Sequence, residues 1–231
     1  MRNIICEDAL VWLEKSPVLH GHSIIASLPD ISEFPNMPLE EWKGWFIQTA
    51  ALVLSRTPPE GVTVFYQSDI KREGVWIDKS YLVQKAAEQV GHELLWHKIV
   101  CRVGAGLATR GRPAYSHMLC FSQEVRPDMN RALPDVLPEV GDKTWERGMG
   151  LEACRTIARF IATQTTTKTI VHPFCGEGSM LAVAEEFQLS GIGIERSLKR
   201  AEKARRLKVA HNERGPYFYL DESVTISSVI K

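Results

Sequence analysis

Apolar positions along this chain switch between a period of two and a period near 3.6, and the switches lay out its elements. Asn3–Cys6 reads as a short strand and Asp8–Lys15 as a short helix. Ser23–Ala26 is a second strand that runs into Ser27-Leu28-Pro29-Asp30. Beyond Pro38, which suits a first helical turn, Trp42, Trp45, Phe46, Thr49, Ala50, Val53 and Leu54 share one stripe. Val62–Tyr66 is a continuous apolar run, the mark of a buried strand, and Asp78 is a candidate cap for a helix ending at Gly91. Leu94–Cys101 and Tyr115–Ser122 read as two strands joined by a loop bearing glycines and arginines. Arg126–Thr144 carries three prolines and no period, as a connection that crosses a surface or carries function does. Leu151, Cys154, Ile157, Ala158 and Ile161 then form a helical stripe, followed by the strand Thr169–Val171. Met180, Val183, Ala184 and Phe187 mark the next helix, and Gly191–Ile194 the next strand. The basic run Lys199, Arg200, Lys203, Arg205, Arg206 and Lys208 falls on one predicted helix as a solvated face, and Gly215–Lys231 reads as an extra strand or a tail. Strands alternating with helices predict an α/β fold, a mostly parallel central sheet with helices on both faces.

Composition narrows this little. The chain has 231 residues, enough for one well-buried α/β domain, with ordinary hydrophobic (44%) and charged (24%) shares. Its 28 basic and 28 acidic residues cancel, which argues against indiscriminate nucleic-acid binding but leaves room for a local basic mouth. No apolar run reaches membrane length, and no signal-peptide pattern opens the chain. Five cysteines without C-x-x-C spacing point to reduced thiols, a cytoplasmic setting and no metal site. His97 and His117, in apolar strands, read as core histidines.

The chemistry concentrates in His172-Pro173-Phe174-Cys175-Gly176-Glu177-Gly178-Ser179, between a strand and a helix. Glycines there let backbone N–H groups approach a ligand, and the helix N-terminus favours a negative group. Glu195 ends the following strand, nineteen positions after Gly176 (195 minus 176), where a carboxylate can accept both hydroxyls of a ribose. A structural turn with a surface Glu is the alternative, but the ordered set favours a nucleoside-cofactor site. Leu181 stands where a nicotinamide fingerprint needs its third glycine. Within the loop, Cys175 reads as a packing residue rather than a nucleophile.

The run Pro-Phe-Cys-Gly-x-Gly-Ser resembles motif I of the class I S-adenosylmethionine (SAM) methyltransferases, and most of all the amino-methyltransferases, in which Asp stands in place of His172. The order of elements resembles their circularly permuted group, which modifies adenine N6 or cytosine N4, over the chain up to about Ala210. The resemblance implies a catalytic half (1–125), a connecting loop (126–145), a SAM-binding half (146–210) and a tail (211–231) in one domain. It implies that SAM lies against His172, Pro173, Phe174, Cys175, Gly176, Gly178 and Ser179, with its ribose on Glu195, its adenine near Asp8 and Ile194, and Thr144–Gly150 over its methionine end.

The family's catalytic tetrapeptide is Asp, Asn or Ser, then Pro-Pro, then an aromatic. Side-chain and backbone oxygens there accept hydrogens from the target amine, and the ring stacks on an extruded base. Here Ser27 and Pro29 match, Leu28 replaces the first proline and Asp30 replaces the aromatic. Asp30 is then a base or amine acceptor with stacking supplied by Phe34, Tyr66 or Trp76, or the methyl goes to another atom, or Pro29-Asp30 is only a turn. Asp69, Lys71, Arg72, Trp76, Arg110 and Arg112 are the expected substrate contacts. With no room for a large target-recognition insert, the expected partner is RNA more than DNA, with self-association as a homodimer also anticipated. A small-molecule or protein methyltransferase and a catalytically silent SAM-fold subunit remain alternatives.

Overall fold

Alternation along each central strand sends side chains into two separate cores, one on each face of a sheet. The computed structural model describes residues 1–223 of the 231. In chain order the elements are β1 (Arg2–Ile5), α1 (Ala9–Lys15), β2 (His22–Ala26), α2 (Leu39–Ser55), β3 (Thr63–Gln67), β4 (Ile70–Arg72), β5 (Val75–Ile77), α3 (Lys79–Gln89), β6 (Glu93–Cys101) and β7 (Tyr115–Ser122). There follow β8 (Val136–Leu137), α4 (Leu151–Gln164), β9 (Thr169–His172), α5 (Ser179–Glu186), β10 (Ser190–Ile194), α6 (Leu198–Arg206), β11 (Leu207–Asn212) and β12 (Gly215–Leu220).

The eight-stranded sheet has the order β1-β10-β9-β2-β3-β7-β6-β8, with only β7 antiparallel to its neighbours. Ile24, Ala26, Phe65 and Val171 point into the core covered by α1, α2 and α3. Their chain neighbours Ile25, Val64 and Ile170 point into the core covered by α4, α5 and α6. The predicted stripe of α2 buries Trp42, Phe46, Thr49, Ala50, Val53 and Leu54, and Asp78 caps α3 by accepting from the Tyr81 amide at 3.0 Å. The α/β expectation therefore holds.

Several local expectations do not. The connection Arg126–Thr144 is not wholly irregular: Val136 and Leu137 add a parallel edge strand beside Ile99 and Val100. Two residues are too short to show a period, and the open edge of β6 captures them. Lys208 is not helical, because Leu207–Asn212 pairs antiparallel with Gly215–Leu220. The expected boundary after residue 210 thus cuts through a strand, and of the Gly215–Lys231 segment residues 224–231 lie outside the described residues. Nor is the basic run a free face: Lys203 pairs with Glu177 at 2.7 Å, Lys208 with Glu185 at 3.2 Å, and Arg205 donates to the Ile4 carbonyl. His117 is buried as expected, but His97 is exposed.

No helix among the described residues is long and apolar enough to cross a membrane. Adjacent β9 and β2 lead away from each other: β9 continues through α5 to β10 on one side, β2 through α2 to β3 on the other. A crevice opens at the carboxyl ends of such a strand pair. The glycine loop after His172 and the Ser27–Asp30 turn after Ala26 both start there.

Candidate active site

Those two segments line one cleft of about 250 Å3. Its first wall is the glycine loop. Gly178 has φ +85°, and a Cβ on it would sit 2.9 Å from Ala204 Cβ, so neither the conformation nor the space admits another residue. The loop is tied to β10 through the Cys175 amide, which donates to the Ile194 carbonyl at 3.0 Å. Glu195 braces it: one carboxylate oxygen accepts from the Gly176 amide at 3.1 Å and the other from the Ser197 amide at 2.8 Å. Each oxygen keeps a second lone pair for a ligand. Burial, with Glu195 close by, pushes the Cys175 thiol up to about 12, as suits a packing residue. His172, 3% exposed, lines the same wall, and its Nδ1 has no partner among the described residues. Burial pulls its pKa down to about 3, so the imidazole is neutral at pH 7. Asp8 caps α1 at the cleft, accepting from the Leu10 and Val11 amides.

The second wall is the turn after β2. Asp30 caps a 3₁₀ turn, Ile31–Glu33, accepting from the Ser32 amide at 3.0 Å. It also holds an ion pair with Lys79 at 2.8 Å, the two side chains 17% and 3% exposed. Burial alone would raise the Asp30 carboxyl, but Lys79 and Ser32 outweigh it and the group titrates below its ordinary range. Burial lowers the Lys79 ammonium and Asp30 only partly restores it. The short contact and the carboxylate's extra hydrogen bond hold the pair in its charged form. Phe34 and Trp45, with ring centroids 4.6 Å apart, add an aromatic wall beside Asp30. Trp145 carries Arg200 over its ring at 4.8 Å, on the segment Thr144–Gly150, which borders the cleft.

Of the expected substrate contacts, only Arg112 lines the cleft. Asp69 is buried and spent on structure: it accepts from Trp76 Nε1 and His117 Nε2, each at 2.9 Å, and from the Lys79 amide. Asp78 lies close enough to Asp69 and His117 to suggest a metal triad, but both His117 ring nitrogens are engaged, the second with His97. These bonds pin the β4–β5 hairpin to the sheet. Lys71 lies over the Trp76 ring at 4.7 Å and donates to the Thr109 carbonyl, and Trp76 stacks near Tyr115. Trp76 is therefore committed to its own hairpin, and Lys71, Arg72 and Arg110 form a rim outside the cleft. Gly178 likewise shapes the loop without lining the cleft.

Sequence reasoning named no individual role for Gln67, Lys79, Trp45, Trp145 or Arg200, all of which line it, although Gln67 and Trp145 fall within segments expected near a ligand. Gln67 closing an apolar strand and Lys79 directly after a helix cap carried a signal; the other three took up unremarkable places on a stripe, in a loop and in a basic run.

No protein-family model matches the sequence, and neither does any curated protein. Solved structures do match. TTHA0409 of Thermus thermophilus, provisionally named a DNA modification methylase, in complex with S-adenosyl-L-methionine, is 17% identical, with 88% of this chain and 92% of that one covered and a TM-score of 0.66. The PvuII cytosine-N4-specific DNA methyltransferase is 18% identical, with coverages of 97% and 88% and a TM-score of 0.66. The M1.HpyAVI–SAM complex is 16% identical, with coverages of 89% and 98% and a TM-score of 0.60. The chain has the Rossmann-like methyltransferase fold. Within that fold, both walls of the cleft come from the switch point where the strand order reverses.

Proposed function

We propose that this protein is a SAM-dependent methyltransferase acting on an exocyclic amine of a DNA base. The observation that carries the reading is the meeting, in one cleft at the switch point, of the glycine loop braced by Glu195 and the Ser27–Asp30 turn. The residues fit the cofactor. The glycine loop opens α5 and turns a positive dipole end toward a carboxylate, and Glu195 and Asp8 offer oxygens to ribose and adenine. When bound, SAM supplies an electrophilic sulfonium methyl.

The chain's own residues then have to present the acceptor. Ser27 and the backbone oxygens of the turn take hydrogens from the target amine and so free its nitrogen lone pair, while Phe34 and Trp45 flank a planar ring. Lys71, Arg72 and Arg110 sit outside the cleft as phosphate contacts. DNA replaces RNA as the favoured substrate because similar proteins named for a substrate modify DNA. The test is calorimetric SAM binding followed by radiolabelled methyl transfer to DNA and RNA from cells lacking the gene. Label in DNA, with N6-methyladenine or N4-methylcytosine on nucleoside mass spectrometry, is the expected outcome; label confined to RNA would overturn the choice of DNA.

One observation favours a second reading, a silent subunit: Asp30 is already occupied by Lys79 and by its capping bonds. SAM binding without transfer to any nucleic acid would select it.

A further inference from the structure

Lys71, Arg72 and Arg110 stay on the rim of the cleft, whereas Arg112, on the same loop as Arg110, lines it. The other charged side chains of the substrate wall are engaged. Asp30 holds Lys79 at 2.8 Å, and the exposed Glu33 accepts from the Asp30 amide at 3.2 Å. Arg112 is half-buried, and its guanidinium makes no hydrogen bond and no ion pair among the described residues. Its charge acts on Asp30 and on Lys79, so it stands beside their pair without joining it. A guanidinium cannot shed its proton, and drawing it partly out of water costs free energy until an acceptor meets its donors.

A substrate entering this cleft has to bring that acceptor, and the anionic group of a nucleic acid is its phosphate. Resting on the methyltransferase reading above, we infer that Arg112 clamps the phosphate of the target nucleotide inside the cleft. The planar guanidinium fits two phosphate oxygens at once, which fixes distance and orientation together. With its ring flanked by Phe34 and Trp45 and its phosphate on Arg112, the nucleotide leaves its amine to the Ser27–Asp30 turn. The site therefore takes a nucleotide drawn out of a strand and discriminates against a free nucleoside. Rim cations hold a strand wherever it lies; Arg112 holds only the nucleotide that has left the stack.

The test titrates the full-length protein, saturated with S-adenosylhomocysteine, in a calorimeter with 2′-deoxyadenosine and 2′-deoxycytidine. Each is offered as the free nucleoside and as the 3′,5′-bisphosphate, which carries both phosphates that a strand supplies. At least one bisphosphate should bind about 10- to 100-fold more tightly than its nucleoside. Arg112→Gln should abolish that gain, Arg112→Lys should keep part of it, and SAM affinity should change in neither. Arg112→Gln should also lower kcat/KM for DNA about 10- to 100-fold. DNA methylation by wild type with no gain from phosphate, with a gain that survives Arg112→Gln, or with Arg112→Gln fully active overturns the inference and leaves the methyltransferase reading intact. An Arg112-dependent gain in a protein that methylates nothing supports the phosphate site and overturns the activity. No gain and no methylation overturns both.

Discussion

The two walls of the cleft are built by different means. On the proposed reading one is a cofactor wall and the other a substrate wall, and the cofactor wall is shaped by backbone: a left-handed glycine, a loop tied by amides to β10 and a carboxylate bracing both. The substrate wall is shaped by side chains from distant segments, Asp30 to Lys79 and Asp69 to Trp76 and His117. Backbone geometry tolerates few spellings, whereas charge pairs can be rebuilt from many positions. The cofactor wall should therefore fail abruptly on mutation and the substrate wall by degrees.

The sharpest test of that contrast is Gly178→Val. The φ of +85° excludes a β-branched residue, and the new side chain would meet Ala204 at 2.9 Å. We expect a loss of about 3 kcal/mol or more in urea unfolding and no calorimetric SAM binding. Retention of wild-type SAM affinity would remove the loop from the cofactor site.

Lys79→Met should be next in size. It leaves the Asp30 carboxylate partly buried without its partner, a change that costs on the order of 3 kcal/mol for a buried pair and less here, since Asp30 keeps its Ser32 bond. Methyl transfer should drop at least tenfold while SAM binds normally. Adding Asp30→Asn should recover much of the stability, because the uncompensated charge is gone. If the double variant is no more stable than Lys79→Met, the pair is not what holds this turn.

A third test uses pH. His172 titrates near 3 in the folded protein and near 6.5 when unfolded. Between those values the unfolded chain binds the extra proton, so this contribution to stability is complete above about pH 6.5 and is lost as pH falls. The slope approaches 1.36 kcal/mol per pH unit at most. Urea unfolding at pH 6.5 and 5 should show His172→Asn losing roughly 1.6 kcal/mol less than wild type over that interval. Equal losses would mean that His172 is not held neutral.

How much of this was legible in the sequence follows the same division. The strands of the alternation, the α2 stripe and the glycine loop were readable because each depends on neighbours a few residues apart. Asp30 could be picked out as a departure, but its partner lies 49 positions away and nothing local announces it. Asp69 was misread for the same reason: an acidic residue after a strand looks like a ligand contact until Trp76 and His117 arrive to occupy it. Val136 and Leu137 were missed because an edge strand two residues long is dictated by the strand it joins.

The smallest expected effect tests the rim. Arg72 and Arg110 are exposed, neither lines the cleft, and Arg72 has only the exposed Glu73 beside it. Such groups gain little from their neighbours but attract phosphates at distances set by the ionic strength. If DNA crosses the β4–β5 hairpin, Arg72→Ala and Arg110→Ala should each weaken binding a fewfold and reduce the salt slope of log K by about 1. The loss should be similar for any DNA sequence, with SAM affinity and the maximal rate unchanged, since neither residue reaches the cleft. A slope that stays at the wild-type value in both variants would move the nucleic acid off this hairpin. The most natural alternative is then the Arg147, Arg196 and Arg200 side of the mouth, where the cofactor wall, not the substrate wall, would carry the phosphate contacts.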